Sequence, residues 1–140
     1  MSEIKVDTLT GKTTAGDITV TSEGGAATQS LQQGLAKAWM LFNEPAATLT
    51  DGLNISSASD LGTGHFQHSF VNSFSTANFN YSFGSGNNDG SGGDSTAQPV
   101  VRGYWWQTGS FNQQTSYNLS GSNVAFDYNS TGITFMGDLA

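Results

Sequence analysis

SLQQGLAKAWMLFNEP, residues 30–45, can be read as a helix, a membrane contact or a buried strand. Leu31, Leu35, Ala38 and Phe42 fall at helical spacing, as on an amphipathic helix. AWMLF (38–42) is apolar enough to touch a bilayer, and apolar on both parities like a strand buried on both sides. A bilayer span needs about 20 apolar residues, and this run is far shorter. The remaining solution is a hybrid. A short helix lies within AATQSLQQGLA (26–36), with Thr28 as its N-cap, and a strand starts at Lys37 and stops before Pro45.

Working toward the N-terminus, IKVDTLTGKTTAGDITVTS (4–22) alternates in two bursts, Ile4/Val6 and Ile18/Val20, around GKTTAGD. That pattern predicts a two-stranded hairpin, which is marginal alone and needs a partner surface. Leu31, Leu35 and Ala38 add a short heptad-like seam, which packs either on symmetry mates or on the chain's own sheet. Residues 1–36 are therefore expected to form an attachment and oligomerisation segment, with Ile4, Val6, Leu31, Leu35 and Trp39 at the subunit interface.

Working toward the C-terminus, residues 37–140 are expected to form a β-rich head. LTDGLNISS (49–57) alternates Leu53 and Ile55, with Gly52 marking a bulge, and DLGTG (60–64) is a turn. HFQHSFVNSF (65–74) puts Phe66, Phe70 and Phe74 on one face; ANFNYSFG repeats the scheme with Phe79, Tyr81 and Phe83. VVRGYWW, TSYNLSG, NVAFDYN and GITFMGD continue the series, and residues 84–99 form a Gly-rich exposed loop. Short strands separated by turn signals predict an all-β fold, a sandwich or jelly-roll-like head.

Charged residues make up only 11% of the chain, against roughly 25% in ordinary domains. Their place is taken by Ser, Thr, Asn, Gln and 18 Gly, a neutral polar coat suited to a particle surface. With net charge −7 and four Lys/Arg, no cationic cluster exists to displace counterions from nucleic acid. Cys is absent, so neither disulfides nor thiolate ligands are available. MSEIKVD lacks the basic region and apolar segment of an export signal, so synthesis in the cytoplasm without membrane insertion is expected.

Few residues point to chemistry. GSGNNDG resembles a calcium loop but lacks the closing bidentate Glu. His65 and His68 are three apart, hence on opposite faces of a strand, and cannot jointly hold a metal within one chain. Asp51, Asp60, Asp127 and Asp138 adjoin turn-like segments, where carboxylates cap backbone. No catalytic residue, cofactor or metal site is expected. Trp105 and Trp106 are neighbours on a strand, so one indole enters the core while the other faces solvent, a subunit interface or a ligand. An outward indole can stack on a sugar ring. The expected ligand-contact patch is therefore one indole with the loop residues Asn87, Asn88, Asp89 and Asp94.

AKAWMLFN (36–43), LNISSASDLGTGHF (53–66), ANFNYSF (77–83) and the closing FMGDLA (135–140), in that order, resemble small fibre proteins of tailed phages infecting marine bacteria. The opening IKVDTLTGKTTAGDITVT resembles the start of such fibres as well. The match spans most of the chain outside roughly 84–123, and Leu61 and His65 depart from the pattern at a turn. The resemblance implies a homotrimer carried on the virion, joined to other virion proteins by its N-terminal segment. Its β-rich head would touch the host surface or decorate the particle; with the outward indole, a host-surface glycan is the expected contact. A free carbohydrate-binding module is the further alternative.

Overall fold

The computed structural model describes residues 3–14, 18–21, 24–25, 27–86, 98–119 and 121–140. The chain divides into two compact units, Met1–Leu35 and Ala36–Ala140. In the first, β1 (Thr19–Thr21) pairs antiparallel with β2 (Thr28–Ser30), Val20 opposite Gln29. The hairpin thus uses the Ile18/Val20 burst, while the Ile4/Val6 burst forms no strand and stays exposed.

The expected helix is absent, and no helix forms among the described residues. Thr28, the expected N-cap, is a strand residue, and the chain then makes only a tight turn, with Gly34 N–H donating to the Ser30 carbonyl at 3.3 Å. The physical reason lies in cooperativity. A three-turn helix carrying Gly34 repays its nucleation only if an apolar stripe is buried, yet Leu35 remains 53% exposed. Cross-strand bonds and the Leu31 N–H bond to the Ile18 carbonyl (2.7 Å) satisfy this backbone instead.

The second unit contains β3 (Ala38–Asn43), β4 (Thr48–Leu53), β5 (Ile55–Gly62), β6 (His65–Phe70), β7 (Asn80–Gly86), β8 (Gln98–Gln107), β9 (Ser110–Leu119), β10 (Ser122–Ala125) and β11 (Ser130–Met136). One antiparallel sheet has the order β4-β3-β11-β7. The other runs β10-β9-β6-β5, with β8 on the free side of β9.

β3 is central in its sheet but buried on one face only: Ala38, Met40 and Phe42 are covered while Leu41 is exposed. Residues 49–57, expected as one strand, split between the sheets at Asn54, whose φ of 60° turns the chain. The β4 bulge falls at Thr50, between the partners of Leu41 and Phe42, rather than at Gly52. β7 and β8 take up both ends of the expected 84–99 loop, and residues 87–97 lie outside the described residues.

The inner faces share one core. Seven of the nine phenylalanines are buried. Ring pairs span the two sheets: Phe70–Phe135 at 5.2 Å, Phe111–Phe135 at 5.1 Å and Phe42–Phe66 at 5.0 Å, all edge-on, as the ring quadrupole favours. Ala38 sits opposite Phe135 in the β3/β11 register, small against large. Along each inner row the chemistry changes. Phe70, Phe74, Phe79, Phe111 and Phe135 make an aromatic end, whereas Thr131, Thr115, Gln113 and Glu44 make a polar end.

Candidate functional site

The polar end is built around Glu44, which continues the inward parity of Ala38, Met40 and Phe42 one step past β3 and is 1% exposed. Its Oε1 accepts from Gln113 Nε2 and Thr131 Oγ1, both at 2.5 Å. Its Oε2 accepts from Tyr128 N–H at 2.7 Å and Thr115 Oγ1 at 2.9 Å. Glu44 N–H also donates to the Tyr128 carbonyl at 3.1 Å. One carboxylate therefore ties the end of β3 to β9, to β11 and to the segment between β10 and β11.

Burial pushes the Glu44 carboxyl above the ordinary carboxylate value. The bonds from Thr131, Tyr128 and Thr115 oppose that shift, and the Asp127 charge adds to it. Gln113 extends the network to His68, with its Oε1 2.9 Å from His68 Nε2. Because Gln113 points its NH₂ at Glu44, only its carbonyl oxygen meets the imidazole, so His68 Nε2 carries the hydrogen. His68 Nδ1 is then a bare acceptor, buried without a partner. Burial lowers its pKa to about 4, partly offset by the Gln113 bond, and the ring lies edge-on to Phe42 at 4.9 Å. The two histidines do face opposite sides of β6, His68 inward. Glu44, missed in the sequence, has every carboxylate oxygen held by the fold and is closed to a substrate.

Asp51, Asp60 and Asp127 each accept from a glycine N–H: Gly52 at 2.8 Å, Gly62 at 2.7 Å and Gly64 at 2.5 Å. They cap backbone, as their sequence positions predict. Gly64 also has φ +68°, and a Cβ there would drive into the Thr115 carbonyl, so this junction between β6, β9 and Phe126 admits only glycine. Among the described residues no cluster of three or more His, Cys, Asp or Glu could hold a metal.

The accessible site lies on the outer face of the other sheet. Trp106 pairs with Phe111 and leans its ring toward Tyr81, 5.9 Å between centroids. Trp105 pairs with Asn112 and points away from the core. The expected opposite facing holds, but neither indole enters the core: Trp105 is 60% exposed and Trp106 40%. A bulge between Gly103 and Trp105 sets this parity. Without the extra residue Trp105 would pair with Phe111 and face inward. Gly103 permits the close approach, since a Cβ there would sit 2.7 Å from the Tyr81 hydroxyl.

Trp105 closes a shallow cleft of about 140 Å³ with Gln67, Gln107, Ser110 and Asn112. Gln67, Asn112 and Trp105 form one row across β6, β9 and β8, and Gln67 Nε2 donates to Asn112 Oδ1 at 3.1 Å. In the next outward row Arg102 Nε donates to Gln114 Oε1 at 2.6 Å. The four loop residues expected beside an indole, Asn87, Asn88, Asp89 and Asp94, lie outside the described residues. Of the expected interface residues, Ile4, Val6 and Leu35 are exposed and Leu31 is half-buried. Trp39 is half-buried on the outer face of β3, opposite Leu53, and no helix among the described residues covers it. Comparison with protein-family models, with curated proteins and with solved structures finds no match.

Proposed function

We propose that this chain is a virion fibre protein of a tailed phage, a homotrimer whose β-sandwich head attaches the particle to the host surface without catalysis. One observation carries the reading. The outer face of one sheet displays Trp105 among uncharged amide and hydroxyl side chains, chemistry suited to adhesion and lacking an acid–base pair. The order of fibre-like motifs in the sequence supports the same reading, as do the exposed Ile4, Val6 and Leu35 for assembly with other copies and other virion proteins. Three heads on one particle would multiply a weak contact into firm adhesion.

The alternative of a decoration protein without receptor binding draws on a different face. Leu41, Leu53 and Met136 are exposed on the outer side of the β4-β3-β11-β7 sheet, where a protein surface would cover them. Antibody labelling of purified particles separates the two readings. Label confined to the tail supports attachment, even label over the capsid supports decoration, and unlabelled particles reject both.

A further inference from the structure

The geometry points to the Trp105 cleft as a binding site for an uncharged sugar ring, stacked on the indole and held by the amides of Gln67 and Asn112. This deepens the attachment reading and rests on it for its biological meaning, but its chemistry stands on the cleft itself. A pyranose presents C–H groups on its ring face and hydroxyls at its edge. It needs an aromatic plane beside donors and acceptors, and the cleft supplies both within one row of the sheet.

The Gln67–Asn112 bond uses one hydrogen of Gln67 and one lone pair of Asn112. The Gln67 carbonyl oxygen and the Asn112 NH₂ are left to accept from and donate to neighbouring hydroxyls, and the bond itself orients both amides in advance. The backbone that carries the indole is likewise ordered: β8 is laced to β9 on both sides of the bulge, so stacking has only the side chain to immobilise.

Charge selects the class of sugar. All five residues lining the cleft are uncharged. The chain carries −7, which disfavours sulfated or uronic-acid glycans at a distance. Arg102 stands one row away with its Nε already donated to Gln114, outside the cleft lining. The volume of about 140 Å³ suits a single ring, so neighbouring rings of an oligosaccharide would extend across the exposed face.

The test titrates the full chain by calorimetry with cello-, malto-, manno- and galacto-oligosaccharides, and in parallel with uronic-acid and sulfated oligosaccharides. At least one neutral series should bind with a roughly millimolar dissociation constant, the range expected for one stacked ring. Trp105→Ala should weaken it about tenfold or more with an unchanged melting temperature, and Trp105→Phe should retain part of the affinity. Absence of neutral binding, binding of anionic sugars alone, or a Trp105→Ala variant that binds like wild type each overturns the site. Particle adsorption separates this from the attachment reading. Neutral-sugar binding through Trp105 in particles whose adsorption ignores Trp105→Ala keeps the site and rejects its role in attachment. Adsorption that needs Trp105 without neutral-sugar binding rejects the proposed ligand and keeps that role.

Discussion

Glu44→Ala is the perturbation that bears hardest on the fold. The side chain collects four donors from three parts of the chain, and removal leaves all four facing a small buried void. The donors are not equivalent. Thr115 and Thr131 hydroxyls can rotate to another acceptor, so their loss counts for little. Tyr128 N–H and the Gln113 NH₂ are held by backbone and by the His68 contact, and each unsatisfied buried donor costs about 1–3 kcal/mol. Relief of the buried charge offsets part of this, since burial already disfavours the ionised carboxyl. The net expectation is a loss of about 3 kcal/mol, which at a urea slope of about 1–2 kcal/mol per molar moves the unfolding midpoint by roughly 2 M.

The assay is urea unfolding followed by circular dichroism at pH 7. Glu44→Gln should lose less, about 1–2 kcal/mol, because its carbonyl can keep Thr115 and Tyr128 while its NH₂ meets the Gln113 NH₂. If Gln113 flips in response, His68 must change tautomer, which nitrogen-15 spectra of the imidazole would report. A Glu44→Ala midpoint within about 0.3 M of wild type would refute the argument, because the four bonds would then be dispensable.

The His68 imidazole, with a folded pKa of about 4 against an ordinary 6.5, is protonated first in the unfolded chain. Its contribution, about 3 kcal/mol, is present above pH 6.5 and disappears as pH falls toward 4. The raised Glu44 pKa acts with opposite sign, favouring the folded state as pH falls, so urea midpoints of Glu44→Gln should drop more steeply between pH 6.5 and 4 than those of wild type. Equal slopes would dismiss this opposition. Gly64→Ala should destabilise by about 3 kcal/mol or more through positive φ and the Thr115 carbonyl, and a melting temperature within two degrees of wild type, taking roughly 4–8 °C per kcal/mol, would contradict it. Trp39→Ala, half-buried within the chain, should remove about 1–2 kcal/mol in a monomer. A trimer covering the indole would make that loss larger and dependent on protein concentration, whereas a concentration-independent melting temperature would remove Trp39 from the interface.

Period-two alternation identified the strands because Phe66/Phe70, Tyr81/Phe83 and Ile133/Phe135 each mark an inner face directly. The same rule extended one step past Phe42 would have found Glu44, but Pro45 three residues beyond the apolar run reads as a stop. Segments poor in large side chains misled. Ile4/Val6 alternates but pairs with no strand among the described residues, and 28–36 has helix formers of which Thr28–Ser30 are taken by cross-strand pairing with Thr19–Thr21. The Trp pair shows a different limit. Neighbouring indoles must face opposite ways, but which one turns outward depends on a one-residue bulge beside Gly103 that no pattern of hydrophobicity marks. Both stay accessible because, among the described residues, β8 pairs with β9 alone, at the border of its sheet.

The attachment claim is tested most directly by competition. Host cells are preincubated with purified wild-type protein or with the Trp105→Ala variant, then challenged with particles that carry the protein, and free particles are counted. Wild-type protein should slow adsorption in proportion to its concentration, and Trp105→Ala at the same concentration should leave adsorption untouched. Adsorption that proceeds at full rate under saturating wild-type protein would contradict the account, because a fibre head that binds the host must compete for it.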